Sequence, residues 1–283
     1  MLPLLSTTAF STVSILHLLA FSLYPSSVLT PWLIAVVLNT VLLTIVWFLP
    51  KKLLTPAGIV HAWILGVLVW GCLGWQGYAV VVFYFLVGSG ITRVGMAQKE
   101  AAGIAEKRSG ARGPENVWGS ALTGALCAIG SLLVPLVLPA ESRWLVPLLL
   151  LGYVASFSTK LADTCSSEIG KAYGQRTFLI TTLQPVARGT EGAVSLEGTL
   201  AGVVASVAIA LVGWGVGLMP LWQVFICVVA AFIGTNAESV IGATLQSRFS
   251  WLTNEVVNIL NTLIGAIAAM LLVEGLRIAH LTF

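Results

Sequence analysis

A polytopic, all-α membrane bundle of about nine transmembrane helices is the fold class this sequence predicts, and three observations carry it. Hydrophobic residues fill 58% of the 283 positions and charged residues only 9%, where a soluble domain carries about 25% charged residues. The apolar residues gather into stretches of the length that crosses a bilayer, about 20 residues. The basic residues fall in alternate connections between those stretches, as the positive-inside rule requires.

The stretches run over 4–24, 31–49, 57–73, 76–92, 117–138, 144–162, 197–217, 220–244 and 255–274. The first is apolar and uncharged and lacks a basic leader and a small-residue cleavage site, so it reads as a retained span. With the second it makes an N-terminal helical hairpin over 1–54, and 55–283 is the core of a single integral-membrane domain. The third and fourth are short and joined by Gly74-Trp75-Gln76-Gly77, which predicts a tight hairpin. Lys51 and Lys52 follow the second span, and Arg93, Lys99, Lys107, Arg108 and Arg112 follow the fourth. Lys171, Arg176 and Arg188 follow the sixth, and Arg248 the eighth. These are 11 of the 14 basic residues; the opposite connections hold only Arg143, and the far C-terminus adds Arg277. The N-terminus and the basic connections are therefore expected in the cytoplasm and the C-terminus outside.

Several classes are disfavoured at once. A net charge of +3 without a basic arm or basic-aromatic pattern gives no nucleic-acid signal. Cys72, Cys127, Cys165 and Cys227 are scattered without a CxxC pair, and His17, His61 and His280 are isolated. The cysteines read as helix-packing residues. Gly90-Ile-Thr-Arg-Val-Gly95 is followed by Met96, so it is no Walker loop, and no HExxH, GxSxG or DGxxAR motif is present.

The acidic residues carry the functional signal. Asp163, the only aspartate, joins Glu168, Glu191 and Glu197 within 35 positions, although the chain has 11 acidic residues in all. Carboxylates at a membrane are costly and usually face a cavity, a metal or a partner. Asp163 and Glu168 are expected where the sixth span runs out, and Glu191 and Glu197 lead into the seventh. Helical spacing puts Asp163, Ser167, Gly170 and Gly174 on one stripe, with Thr164 and Glu168 on the next and Lys160 one turn before Asp163. A Lys160–Asp163 pair that merely locks the bundle is the packing alternative, and it leaves Glu168 unexplained.

Around Gly189, Thr190 and Ser195, glycines and hydroxyls before a helix start can offer N–H groups to an anion. Glu191 and Glu197 would repel a bare phosphate but suit one bound with Mg²⁺, which takes one or two carboxylates plus phosphate oxygens. A plain glycine-rich connector is the alternative. Gly234, Glu238 and Gly242 repeat at i, i+4, i+8 inside the eighth span, where function and helix packing both stay open. Asn254, Asn258 and Asn261 share one helix face, either a polar cleft or interhelical hydrogen bonds. The loop 93–119 places Arg112 and Asn116 in a Gly-Ala-Arg-Gly-Pro-Glu-Asn turn poised to enter the fifth span.

The runs 105-AEKRSGARGPENVWGS-120, 162-ADTCSSEIG-170, 189-GTEGAVSLEGTLAG-202 and 238-ESVIGATLQ-246 resemble an integral-membrane family once known only as a domain of unknown function. It includes the phytyl-phosphate kinases of plant and cyanobacterial tocopherol and phylloquinone synthesis, and vertebrate transmembrane protein nineteen. The likeness spans most of the chain after about residue 55. It implies transfer of the γ-phosphoryl group of a nucleoside triphosphate, with CTP the expected donor, to phytyl phosphate, giving phytyl diphosphate.

The residues agree with that reaction. A phosphate monoester has a second pKa near 6, so it is a dianion at neutral pH and needs alignment and charge neutralisation more than a base. Asp163, Glu168 and Glu197 are assigned to Mg²⁺, with Glu191 and Glu238 as further candidates. Arg93, Arg112, Lys160 and Arg188 are assigned to phosphates. Asn116, Gly189, Thr190, Ser195 and the Asn254–Asn258–Asn261 face line the nucleotide site, and the prenyl tail lies in a groove between spans, open to lipid.

Three other readings stay open: a polyprenol kinase, a cytidylyltransferase making a CDP-lipid, and an ion-coupled transporter. Against the transporter, the halves show no convincing repeat, and the acids sit near the cytoplasmic face instead of the midplane. A homo-oligomer is left open. The lack of a plant-type transit peptide favours a bacterial source, cyanobacteria included, and a plasma or thylakoid membrane.

Overall fold

The computed structural model describes residues 29–50 and 52–279, so the first expected span, and with it half of the N-terminal hairpin, lies outside the described residues. The helices are α1 (Leu29–Phe48), α2 (Pro56–Arg93), the short α3 (Met96–Ala101), α4 (Pro114–Val137), α5 (Leu145–Tyr173), α6 (Leu196–Gly215), α7 (Gln223–Thr244) and α8 (Asn254–Ile278). Among the described residues seven helices are long and apolar enough to cross a membrane. The chain is a polytopic helical membrane bundle.

The 38-residue α2 is two spans folded back on each other at Gly74, whose φ of 64° and ψ of −158° lie in a region essentially reserved to glycine. The ends of the two arms meet. A Cβ on Gly58 would sit 2.3 Å from the Arg112 carbonyl oxygen, and one on Gly88 would sit 2.7 Å from the Arg112 guanidinium. Near the bend the rings of Trp70 and Tyr78 pack edge to face at 5.3 Å. The tight hairpin expected at Gly74–Gly77 is therefore present. With α2 counted twice, the seven spanning helices give eight described crossings.

α5 is the hub. Every residue from Leu151 to Asp163 is buried, and the helix packs against α2, α4, α6, α7 and α8. Burial all round marks a helix surrounded by others. The outer helices instead turn Val37, Leu136, Val204 and Leu271 outward, the apolar surface that lipid requires. α5 also continues to Tyr173, beyond the expected end at 162. Its polar second half stays helical because its charged groups are neutralised by partners and its Ala, Ser, Cys and Gly residues allow close helix approach.

A second departure from the all-α expectation is a two-stranded antiparallel ribbon, β1 (Thr177–Leu179) with β2 (Ala193–Ser195), in register Thr177↔Ser195. It occupies what reads in the sequence as a glycine-rich connector; Thr177, Phe178 and Val194 supply the β-branched and aromatic residues that suit a strand.

The connections sort onto two ends of the bundle. At one end Thr55 N donates to the Arg112 carbonyl at 3.0 Å and Arg93 Nη2 to the Lys52 carbonyl at 3.0 Å. Ile104 packs under Gly189, and Gly192 sits against Ala243 of α7. This end gathers the basic connections. At the opposite end the Arg277 guanidinium lies 5.3 Å from the Trp144 ring.

Candidate active site

The site is built where α5 emerges at the charged end. Lys160 and Asp163, one turn apart, are both buried and paired at 2.5 Å. Lys160 Nζ also donates to Asn258 Oδ1 of α8 at 2.6 Å. Glu238 of α7 is within electrostatic reach of Asp163, of Lys160 and of Glu191 in the ribbon loop. Glu191 approaches because Gly192, at φ 75°, presses the turn onto α7, where an added Cβ would lie 2.5 Å from the Ala243 methyl.

Arg112 closes the other side. Its Nη1 donates to the Tyr84 hydroxyl at 2.7 Å, its guanidinium lies 5.1 Å from that ring, and Tyr84 is in turn within reach of Lys160. Helices α2, α5, α7 and α8, with the turn that leads into α4, thus bring Tyr84, Lys160, Asp163, Glu238, Asn258 and Arg112 into one polar chain, with Glu191 at its edge. Buried charges persist only when paired or ligated; Lys160 and Asp163, the two buried charges of this chain of groups, pair with each other.

The predicted residues do not all join it. Glu168 pairs with the wholly buried Lys99 of α3, and Lys171 lies 3.7 Å from its other oxygen. Five positions separate Asp163 from Glu168, which turns their side chains to different faces of α5. Glu197 accepts the Gln175 N–H at 3.3 Å. The expected Mg²⁺ set of Asp163, Glu168 and Glu197 is therefore not assembled, and among the described residues no three His, Cys, Asp or Glu side chains form a metal-ligand group. Asp163 and Glu238 are the two carboxylates of this cluster's interior, the number that Mg²⁺ can take when phosphate oxygens complete its shell.

Other candidates hold local structure. Ser195 caps α6, accepting the Gly198 N–H at 3.1 Å. Asn116 accepts the Gly113 N–H at 3.0 Å at the start of α4 and lies 3.3 Å from Arg108. Arg93 donates to the Lys52 carbonyl, and Arg188 to the Ala172 carbonyl at 3.2 Å. Thr190 bonds back to the Ala187 carbonyl at 2.8 Å, and Gly189, at φ 80°, makes room for Ile104. Along α8 the three asparagines divide by depth: Asn254 bonds Gln246 at the surface, Asn258 meets Lys160, and Asn261 is fully buried with neither amide atom partnered among the described residues.

Two participants escaped the sequence reading. Tyr84 sits in an apolar run with no polar neighbour to flag it; its one signal is Gly88 a turn later, where Arg112 enters. Lys99 reads as an ordinary topogenic charge, because its partner lies 69 residues away.

The family described as integral membrane protein DUF92 matches residues 39–266. The chain belongs to that family. It is 61% identical to an uncharacterized membrane protein of Synechocystis, over 88% of this chain and 93% of the relative. It is 47% identical to the chloroplastic protein VTE6 of Arabidopsis thaliana, over 77% of this chain and 65% of that longer protein. An uncharacterized membrane protein of Methanocaldococcus jannaschii is 30% identical over 78% of this chain and 87% of its own length. No solved structure matches.

Proposed function

We propose that this chain is a phytyl-phosphate kinase: a membrane-embedded, Mg²⁺-dependent phosphotransferase that moves the γ-phosphoryl group of CTP to phytyl phosphate. The buried Lys160–Asp163 pair, joined by the half-buried Glu238 and Asn258 and flanked by Arg112, is the observation that carries this reading. Two findings support it from outside: the likeness of the motif-bearing segments to phytyl-phosphate kinases, and kinship with a chloroplastic plant protein at 47% identity. The basic end would face the cytoplasm by the positive-inside rule, within reach of nucleotides.

The chemistry asked of these residues is placement and charge. An oxygen of the acceptor's phosphate forms a new bond to the γ-phosphorus while the bond from that phosphorus to the β,γ-bridging oxygen breaks, and CDP leaves. The acceptor is already a dianion, so no side chain has to remove a proton. Lys160 and Arg112 offset the repulsion between the two phosphates, Asn258 fixes the Lys160 ammonium, and Tyr84 aims Arg112. Asp163 and Glu238, with Glu191 at the rim, would hold Mg²⁺, which supplies a Lewis acid for the transferring phosphoryl oxygens. Such preorganised charge is usually the largest single contribution to catalysis.

The test uses purified protein in detergent with Mg²⁺, phytyl monophosphate and each of CTP, ATP, GTP and UTP carrying a γ-³²P label. Label in phytyl diphosphate, highest with CTP, is expected. No labelled lipid from folded protein with any donor would overturn the reading. Released pyrophosphate would indicate a cytidylyltransferase, and label transferred only when an unphosphorylated polyprenol is added in place of phytyl monophosphate a polyprenol kinase.

A further inference from the structure

A groove runs from the site into the membrane-spanning part of the bundle between α5, α6 and α7. Its floor is Ala162 and Ser166 of α5, the residues flanking the Asp163 turn. Its walls are one face of α6, from Thr199 through Val203 to Ser206, and one face of α7, from Ser239 down to Val228. The eleven-residue rise from Val228 to Ser239 spans about 16 Å at ~1.5 Å per residue, roughly half the hydrocarbon thickness of a bilayer. Gly202 lets α5 and α6 approach closely at the floor, since a Cβ there would lie 2.1 Å from Ser166 Oγ and 3.0 Å from the Ala162 carbonyl oxygen. Phe232, on the outer rim, is 52% exposed, so the groove faces lipid along its side.

The polar residues of this groove are graded. In its depth each turns back on its own helix: Ser206 to the Val203 carbonyl at 2.8 Å, Thr235 to the Ala231 carbonyl at 2.9 Å and Asn236 to the Phe232 carbonyl at 2.7 Å. Their hydroxyls and the Asn236 amide nitrogen are thus satisfied within their own helices, and Val203, Val228 and Phe232 supply the apolar part of the wall. At the mouth the hydroxyls of Ser166 and Ser239 make no such bond among the described residues, and they adjoin Asp163 and Glu238. Apolar side chains deep and hydroxyls at the mouth suit a lipid with a polar head, and the kinase reading, which puts Mg²⁺ on Asp163 and Glu238, makes that head an anion.

We propose that this groove is the acceptor subsite: a single-chain isoprenyl phosphate enters sideways from the membrane, lays its chain along α6 and α7, and presents its phosphate at Ser166 and Ser239 to the Lys160 cluster. The narrow floor of Ala162, Ser166 and Gly202 admits one chain and rejects a diacyl lipid. This assignment rests on the kinase reading for its headgroup, and the experiment separates the two.

A photo-crosslinking p-benzoylphenylalanine is placed at Val203 in the groove or, as a control, at Leu271, which borders a different apolar groove between α7 and α8. Radiolabelled phytyl monophosphate is the probe, with wild-type phosphoryl transfer measured alongside. Crosslinking at Val203 and not at Leu271, competed by phytyl monophosphate but not by phytol or dioleoyl phosphatidic acid, is expected. Thr199→Phe, which fills the groove from a partly exposed position, should raise the KM for phytyl phosphate about tenfold. Its KM for the nucleotide and for a five-carbon prenyl phosphate should stay unchanged. Wild-type transfer without crosslinking at Val203 would overturn the groove and leave the kinase reading standing. Competition by phytol equal to that by its phosphate would also overturn it. Crosslinking of the expected pattern without transfer to any lipid would sustain the groove as a lipid-phosphate site and overturn the kinase reading.

Discussion

Replacing Lys99 with Met isolates the contribution of the buried ion pair that ties α3 to α5. The Lys99 side chain is fully buried and that of Glu168 is 3% exposed, and the ammonium also donates to the Thr92 carbonyl at 2.8 Å. Removing one partner of a buried pair costs about 3–5 kcal/mol, because the remaining charge stays uncompensated. Lys171 remains 3.7 Å from Glu168, so the loss should fall near the low end, about 3 kcal/mol. At about 2–4 °C per kcal/mol for a chain of this size, that is a melting point roughly 6–12 °C lower, readable in detergent from intrinsic tryptophan fluorescence. The double variant Lys99→Met with Glu168→Gln removes the stranded charge and should regain most of the loss. A single variant that melts with the wild type, or a double variant no better than the single, would refute the pairing as the reason both residues are buried. The double variant also separates two roles for Glu168. A strut predicts that stability and phosphoryl transfer return together, whereas a metal ligand predicts recovered stability with transfer still absent.

Three further outcomes are expected. Gly74→Ala forces a Cβ into a glycine-only conformation and should destabilise the α2 hairpin by about 1–3 kcal/mol, seen as a lower melting point with substrate KM values unchanged. Ser195→Ala removes the α6 cap and should cost about 1 kcal/mol, with transfer reduced only as far as the folded fraction falls. Adding EDTA to the label-transfer assay should abolish labelled phytyl diphosphate, and excess Mg²⁺ should restore it; transfer that persists in EDTA would remove the divalent ion from the proposal.

Much of the fold was legible because membrane spans announce themselves by length and hydropathy, and because a wrong span count would have scrambled the alternation of basic residues. The α2 hairpin was readable from Gly74 and Gly77, since a reversal that tight needs glycine. The end of α5 was not. Hydropathy falls at Lys160, yet the helix continues to Tyr173, because partners at Lys99 and Asn258 offset charges that a window along the chain sees as solvated. The ribbon at Thr177–Leu179 and Ala193–Ser195 is too short for a periodicity to emerge.

The candidate site divides the same way. Lys160, Asp163, Glu238 and Asn258 were each visible as polar residues at helical spacing within apolar stretches, and they converge. Glu168 and Glu197 had the same signature, and what separates them is three-dimensional: which face of α5 a carboxylate leaves from, and which distant N–H or ammonium meets it. Ser195 and Asn116 carried cap chemistry, and caps and phosphate sites draw on the same residue types.

The most direct measurement compares γ-³²P transfer from CTP to phytyl monophosphate by the wild type and by Asp163→Asn, both reconstituted in nanodiscs and matched for melting point. If the Lys160–Asp163–Glu238 cluster is the reaction centre, the substitution should slow transfer by about 10²–10³-fold, the usual effect of deleting one preorganised charge contact, with little change in nucleotide KM. Transfer within a few-fold of the wild type from the folded variant would contradict that assignment and move the reaction elsewhere on the charged end of the bundle.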